Sequence, residues 1–167
     1  NQALVLLGSD TISSFSDTTN DAARVANSIY ETIKGKTLSL YPWSFALVKE
    51  QLARSTATPV NEWTYLYPLP STAVSGTALQ VYNSSSTRVL PIQNFELVYT
   101  SSGPAIATNE ENIYIDYISS VVSEGLMPNY FVQLLVYMLA WHLAEPVTDQ
   151  ITKAEYWRGV ALGSLTE

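Results

Sequence analysis

His142 is the residue in this sequence best suited to proton transfer, and Glu145 follows it by about one helical turn. A serine hydrolase would also need a nucleophile on a strained turn such as G-x-S-x-G, and that motif does not occur. We therefore expect His142 to be a hydrogen-bonded residue on a packed helix. The sequence predicts no catalytic residue and no enzymatic activity.

Carboxylates could form a glycosidase-type acid pair, for example Asp116 with Glu110, Glu111 or Glu124, but the chain has fifteen Asp and Glu residues and chance pairs are common. The sequence contains no cysteine, which excludes disulfides, thiol nucleophiles, iron–sulfur clusters and Cys-ligated zinc. A single histidine excludes a site of several imidazoles within one chain. We expect no metal and no cofactor.

Aromatic residues are the more informative side chains, since the sequence contains 11 tyrosines and 4 tryptophans. Those from Trp63 to Tyr82 have three interpretations: core residues, a stacking platform for a sugar or other ligand, or interface anchors, for which Trp and Tyr are enriched. Half of each alternating set belongs in the core by default. The interface candidates are Trp63, Tyr65, Tyr67, Tyr82 and Arg88.

The composition favours an interface for the remaining aromatic side chains. The 167 residues include only 14% charged residues, where about 25% is typical, with a net charge of −7. Few charges on the surface are unusual for a free monomer, so we expect subunit contacts. The acidic balance argues against tight wrapping of nucleic acid, because phosphate neutralisation needs clustered Lys and Arg. The most apolar stretch, 130–144, is too short to span a bilayer, which takes about 20 residues.

The elements that would position these residues follow from two periodicities. Three- and four-residue spacing predicts a helix over about 18–34 with a Thr18–Asp21 capping box, a second helix from Pro42, a third after Pro128 that Pro146 breaks, and a fourth over about 148–165. Two-residue alternation predicts strands between Trp63 and Ile118, with the polar segments 83–88 and 101–109 as projecting loops.

The predicted fold is α+β: a bundle of about four helices with an inserted antiparallel β meander or hairpin region. Residues 1–62 would form the N-terminal helices, 63–118 the β insertion and 119–167 the C-terminal helices, within a single domain overall. The predicted core residues are aromatic or large and apolar. They are Trp43, Phe45, Phe131, Leu135, Met138 and Trp141.

A series of short segments, in a shared order over nearly the whole chain, resembles the head-to-tail adaptor (connector) family of tailed phages, the tail tubular protein A type. Each segment is weak by itself, and their order is the specific feature. The segments are Ala3–Gly8, Ile12–Asp17, Asp21–Ala23, Leu40–Ala46, Trp63–Pro70, Ile113–Ile118, Pro128 with Phe131, and Leu139–Thr148.

This resemblance implies a non-enzymatic virion protein located in the neck or tail and assembled in the host cytoplasm. Such a protein forms a ring, typically a dodecamer, beneath the portal protein and joins it to the tail tube or nozzle. Double-stranded DNA would pass through the lumen without specific binding, and no membrane is involved. The alternative interpretation is a carbohydrate- or receptor-binding module that uses Trp63, Tyr65 and Tyr67 as a stacking platform.

Overall fold

The computed structural model describes residues 1–59, 61–86 and 88–163, and over these residues the chain is α+β. The four α-helices are α1 (Gln2–Leu6), α2 (Asp21–Leu38), α3 (Asn129–Thr148) and α4 (Ile151–Gly163). The six strands are β1 (Leu47–Gln51), β2 (Tyr65–Pro68), β3 (Gln80–Tyr82), β4 (Phe95–Thr100), β5 (Gly103–Thr108) and β6 (Tyr114–Ile118). None of these helices is both long enough and apolar enough to cross a membrane.

The chain divides into two compact units. The helical unit contains Asn1–Leu40 and the residues from Ser123 onward, and the β unit is Tyr41–Val122. The β unit therefore begins at Tyr41, whereas the two-residue alternation predicts that the β insertion begins at Trp63. The difference arises from the second predicted helix.

The prediction of a second helix from Pro42 is wrong. After Pro42 the chain makes one 3₁₀ turn, Ser44–Ala46, and then enters β1. All five residues of β1 pair with β6, from Leu47 opposite Ile118 to Gln51 opposite Tyr114. This segment has apolar residues at spacings compatible with a helix, and pairing with a distant strand overrides such local preferences.

In the helical unit, α2 begins with Asn20 as the N-cap, and its Oδ1 accepts hydrogen bonds from the backbone N–H of Ala22 at 2.9 Å and Ala23 at 3.2 Å. The helix thus starts later than the capping box predicted. It also continues through Gly35 to Leu38, because Leu38 is fully buried and its burial outweighs the roughly 1 kcal/mol that a helical glycine costs.

Helix α3 begins after Pro128, as predicted, but Pro146 does not break it. The helix runs two residues further, to Thr148, and its C-cap is Asp149, which has a left-handed φ of 55° and donates its N–H to the Glu145 carbonyl at 2.8 Å. Pro146 lacks an N–H and so removes one helical hydrogen bond, to the carbonyl four residues earlier, and the helix continues despite this loss. Helix α4 follows at Ile151; the last residues of its predicted range lie outside the described residues.

The β unit contains two three-stranded antiparallel sheets, with strand orders β1-β6-β3 and β2-β5-β4. The strand β6, last in sequence, lies between β1 and β3, so this sheet is not a meander. Strands β4 and β5 form the one hairpin between consecutive strands of the described residues, closing at Thr100 opposite Gly103. The segment 101–109, predicted as a projecting loop, is mostly the buried central strand β5.

Each unit has its own apolar cluster. In the helical unit, α1 and α2 pack against α3 through a cluster that includes Leu4, Ala23 and Leu143. In the β unit, the main cluster is centred on Tyr67, Ile106 and other buried strand residues. Of the predicted core residues, Trp43, Phe131, Leu135 and Met138 are buried, and Phe45 and Trp141 are half-buried.

Candidate functional site

The aromatic residues near β2 do not form one platform. Tyr67 is fully buried and donates its hydroxyl hydrogen to the Glu110 carbonyl at 2.8 Å. Tyr65 is half-buried, and the Arg54 guanidinium carbon lies 3.7 Å from its ring centroid. Trp63 lies before the strand begins and belongs to a different apolar cluster, with Leu66. A stacking platform of Trp63, Tyr65 and Tyr67 is therefore absent from this structure.

The other interface candidates are Tyr82, which lines a polar cleft of about 320 Å³ in the β unit, and Arg88, which lies in sequence between two other lining residues, Ser86 and Val89. The hydroxyl group of Tyr82 donates to Asp116 Oδ2 at 3.4 Å. Arg88 is exposed, and its backbone N–H donates to the Ser86 hydroxyl at 3.3 Å. The loop residues Ser84–Ser86 form one wall of this cleft; Thr87 lies outside the described residues.

The polar cleft is built around an ion pair between neighbouring strands. Lys49 on β1 donates to both carboxylate oxygens of Asp116 on β6, at 3.1 and 3.0 Å. Asp116 is buried and Lys49 is mostly exposed. The hydrogen bond to Asp116 raises the pKa of Lys49, so the lysine stays charged. Both groups are therefore engaged with each other, which suits fixing the strand register better than transferring protons.

His142 has the hydrogen-bonded role that the sequence predicts. Its Nδ1 is 2.8 Å from the Met138 carbonyl, and since a carbonyl only accepts, Nδ1 carries the proton. Nε2 then accepts from Lys36 Nζ, at 3.4 Å. Burial, with the nearby Lys36 charge, lowers the pKa of His142. Neither nitrogen contacts a carboxylate, and among the described residues no group of three His, Cys, Asp or Glu could hold a metal ion.

A second ion pair lies in the helical unit. Lys34 on α2 is buried, and its Nζ donates to Glu124 Oε1 at 3.1 Å. The Tyr30 hydroxyl donates to the same oxygen at 3.1 Å. Burial and the Glu124 charge raise the pKa of Tyr30 to about 12. The pair joins α2 to the 3₁₀ turn Glu124–Leu126, which precedes α3.

An apolar groove of about 620 Å³ lies between α1 and α3, and sequence reasoning did not find it. Its lining is mainly apolar, and Asn and Gln side chains also contribute: the apolar lining residues are Val5, Leu6, Val132, Val136 and Tyr137. Val5 and Leu6 are 60% and 41% exposed, although both are aliphatic. A signal was present in the sequence: Leu4-Val5-Leu6-Leu7 is apolar at every position, and a helix on a surface can bury only one side.

The position of α1 is fixed by hydrogen bonds at both of its ends. Asn1 binds Ile12 through two bonds: Oδ1 accepts from the Ile12 N–H at 2.8 Å, and Nδ2 donates to its carbonyl at 2.9 Å. Lys153 Nζ on α4 donates to the Leu7 carbonyl at 3.0 Å. Because Leu4 and Leu7 are buried against the unit, Val5 and Leu6 lie on the exposed side of this segment.

The β unit also presents an exposed strand edge. Strand β4 pairs on one side with β5 and is the last strand of its sheet. It contains no lysine and no proline, the residues that commonly protect such edges, and Tyr99 on it is exposed. An edge of this kind can accept another extended segment through main-chain hydrogen bonds.

Comparison with known proteins adds no family assignment. No protein-family model matches the chain, and a search of curated proteins finds no significant match.

Proposed function

We propose that the chain is a structural subunit of a phage virion, a head-to-tail adaptor that assembles into a ring of about twelve copies. In this proposal the helices of the helical unit act as a bundle that contacts neighbouring subunits and the portal protein. The β unit would contact the tail tube or nozzle, and DNA would pass through the lumen. The proposal rests on the ordered segments described above, which extend over nearly the whole sequence.

The observation that carries the proposal is the apolar groove between α1 and α3. Its exposed aliphatic side chains are held in place by the buried residues of the same short helix, so the apolar surface is a fixed feature of the fold. Exposed apolar surface of this kind is typical of protein interaction sites. A chain with only 14% charged residues also lacks the dense surface charge that keeps monomers apart.

The exposed edge of β4 supports a second contact, made by the β unit. Exposed strand edges bind extended segments of other chains, and alternate side chains then supply specificity. In an adaptor, this segment would come from the tail component.

The test is assembly of the purified chain with portal rings and with tail component, followed by sedimentation and negative-stain electron microscopy. We expect a ring on the portal for the wild type. Val5→Asp should abolish the ring and leave the far-ultraviolet circular dichroism spectrum unchanged, because Val5 is 60% exposed. Ile151→Asp is the matched control, since Ile151 is also aliphatic, 62% exposed and in the helical unit.

A wild-type chain that remains a monomer with both partners would refute the adaptor function. A Val5→Asp variant that assembles like the wild type would place the interface elsewhere. Immunolabelling of phage particles provides the independent check, and label away from the neck would contradict the proposal.

A further inference from the structure

Two cations from different helices converge on one tryptophan in the helical unit. Lys36 Nζ, on α2, lies 4.9 Å from the centroid of the Trp141 ring on α3. The Arg158 guanidinium carbon, on α4, lies 5.8 Å from the same ring. Both distances are within the range of a cation–π contact. We call Lys36, Trp141, His142 and Arg158 the Trp141 cluster.

The cations of the Trp141 cluster differ from the others of the helical unit in their partners. Arg24 pairs with Asp21 at 2.7 Å and Lys34 pairs with Glu124 at 3.1 Å. Lys153 donates to a backbone carbonyl. Lys36 and Arg158 form no ion pair with any described carboxylate, and both are exposed.

The hydrogen-bonding capacity of the Trp141 cluster is largely unused within the described residues. Lys36 shares one of its three ammonium protons with His142 Nε2, at 3.4 Å. An arginine side chain carries five N–H donors, and the Arg158 guanidinium carbon lies over the Trp141 ring. The cluster therefore presents donors and positive charge together, which is the chemistry that binds a carboxylate or a phosphate.

The density of negative charge on the partner selects between these two anions. Nucleic acid carries closely spaced phosphates, and two cations neutralise too few of them to hold DNA against a chain of net charge −7. A second copy has the same net charge, but its fifteen carboxylates are separate groups, so a single one can meet the cluster. Complementary patches of this kind direct association and fix its register.

We propose that the Trp141 cluster binds a carboxylate-bearing segment of a second copy of this chain, as one side of the contact between adjacent subunits. This inference rests on the proposed function, because it requires that the chain assemble. It adds the partner chemistry: one subunit supplies Lys36 and Arg158, and its neighbour supplies Asp or Glu.

The first experiment is zero-length carbodiimide cross-linking of the assembled protein, made from a mixture of isotopically light and heavy chains. Carbodiimide joins an amine directly to a carboxylate, so we expect a mixed-isotope cross-link from Lys36 to an acidic residue of the neighbour. Lys36→Arg keeps the charge and removes the reactive amine, so this cross-link should be missing from its digest. Assemblies in which Lys36 forms no cross-link between copies would overturn the inference.

The second experiment compares two charge reversals on the exposed faces of helices. Arg158→Glu should raise the protein concentration needed for half-assembly on the portal by about tenfold or more, as expected when like charges meet at an interface. Arg24→Glu changes the net charge by the same amount on α2 and should leave that concentration within about twofold of wild type. Circular dichroism verifies that both variants fold.

The outcomes separate the two proposals. Rings that form equally well from Arg158→Glu and Arg24→Glu would overturn the role of the Trp141 cluster and leave the adaptor function standing. A wild type that never assembles would refute both. In a third outcome, Arg158→Glu would assemble normally, the wild type would bind duplex DNA in a salt-dependent way, and the variant would not bind it. The cluster would then be a phosphate site and the inference would be wrong.

Discussion

The ion pair between Lys34 and Glu124 predicts that its two members respond differently to removal. Lys34 has a side chain only 7% exposed, whereas the Glu124 side chain is 62% exposed. The cation is therefore in the protein interior and the anion is near water. Glu124→Gln leaves a buried ammonium without its counter-charge, and Lys34→Met removes that ammonium and keeps an unbranched apolar stem.

The magnitude follows from burial. Removing one partner of a fully buried pair costs about 3–5 kcal/mol. Solvent screens the exposed Glu124, which reduces the attraction that is lost. We therefore expect Glu124→Gln to lower the free energy of unfolding by about 1–2 kcal/mol. Lys34→Met should be within about 1 kcal/mol of wild type, because replacing a buried charge with an apolar group is often neutral or stabilising.

The assay is urea unfolding followed by circular dichroism at 222 nm, which reports mainly on the helices, with the double variant completing a mutant cycle. In the Lys34→Met background, Glu124→Gln should lower the free energy of unfolding only slightly, because the buried charge is no longer present. Arg24→Gln breaks an exposed pair and should change stability by less than about 0.5 kcal/mol. If Lys34→Met were more destabilising than Glu124→Gln, the buried ammonium would be a net stabilising group, contrary to our argument.

Three further predictions concern single residues. Phe131→Ala, at a fully buried position, should cost about 3–5 kcal/mol in urea unfolding, whereas the exposed Ile151→Ala should cost under about 1 kcal/mol; equal costs would contradict the packing of α3. Because burial lowers the pKa of His142, its contribution to the free energy of unfolding should be present in full above the unfolded pKa of about 6.5. It should be lost as pH drops through the folded pKa, and unchanged acid sensitivity in His142→Gln would disprove this linkage. Because burial and the Glu124 charge raise the pKa of Tyr30 to about 12, stability should fall as pH rises from about 10 toward 12, and unfolding titrations of Tyr30→Phe should lack that component.

The helices after Pro128 could be predicted because their signals are local. Pro128 fixes the start of α3, and buried residues at helical spacing, Phe131, Leu135 and Met138, follow it. The α+β class follows from the change of period at Trp63. The cap of α2 was misplaced because several polar residues precede that helix, and only the hydrogen bonds of Asn20 identify the one that caps it.

Strands β1 and β5 could not be predicted because neither shows alternation of buried and exposed residues. Four of the five residues of β1 are exposed, so its sequence shows no alternation of buried and exposed positions. Strand β5 is buried at every position from Ala105 to Thr108, and its small residues look like a loop in the sequence. Strand β1 forms by pairing with β6, far away in the chain, and β5 pairs both with the neighbouring β4 and with the distant β2.

The candidate site depends on the same non-local information. Alternation placed Trp63 on one face with Tyr65 and Tyr67, but alternation holds only inside a strand, and Trp63 precedes β2. The Trp141 cluster combines residues 36, 141, 142 and 158 from three helices. Its convergence is a property of helix packing, so the sequence shows only scattered lysines and arginines.

The charge of the Trp141 cluster also constrains the symmetry of assembly. In a twofold dimer both subunits contribute the same surface to the interface. A cluster near the axis would therefore face its own copy, which places positive charges against one another. A head-to-tail contact instead sets the cluster of one subunit against acidic residues on a different surface of the next, and repetition of that contact closes a ring. Native mass spectrometry of wild-type assemblies should therefore show closed species of more than two copies, and a series of even-numbered species built on a stable dimer held through Lys36 and Arg158 would contradict this reasoning.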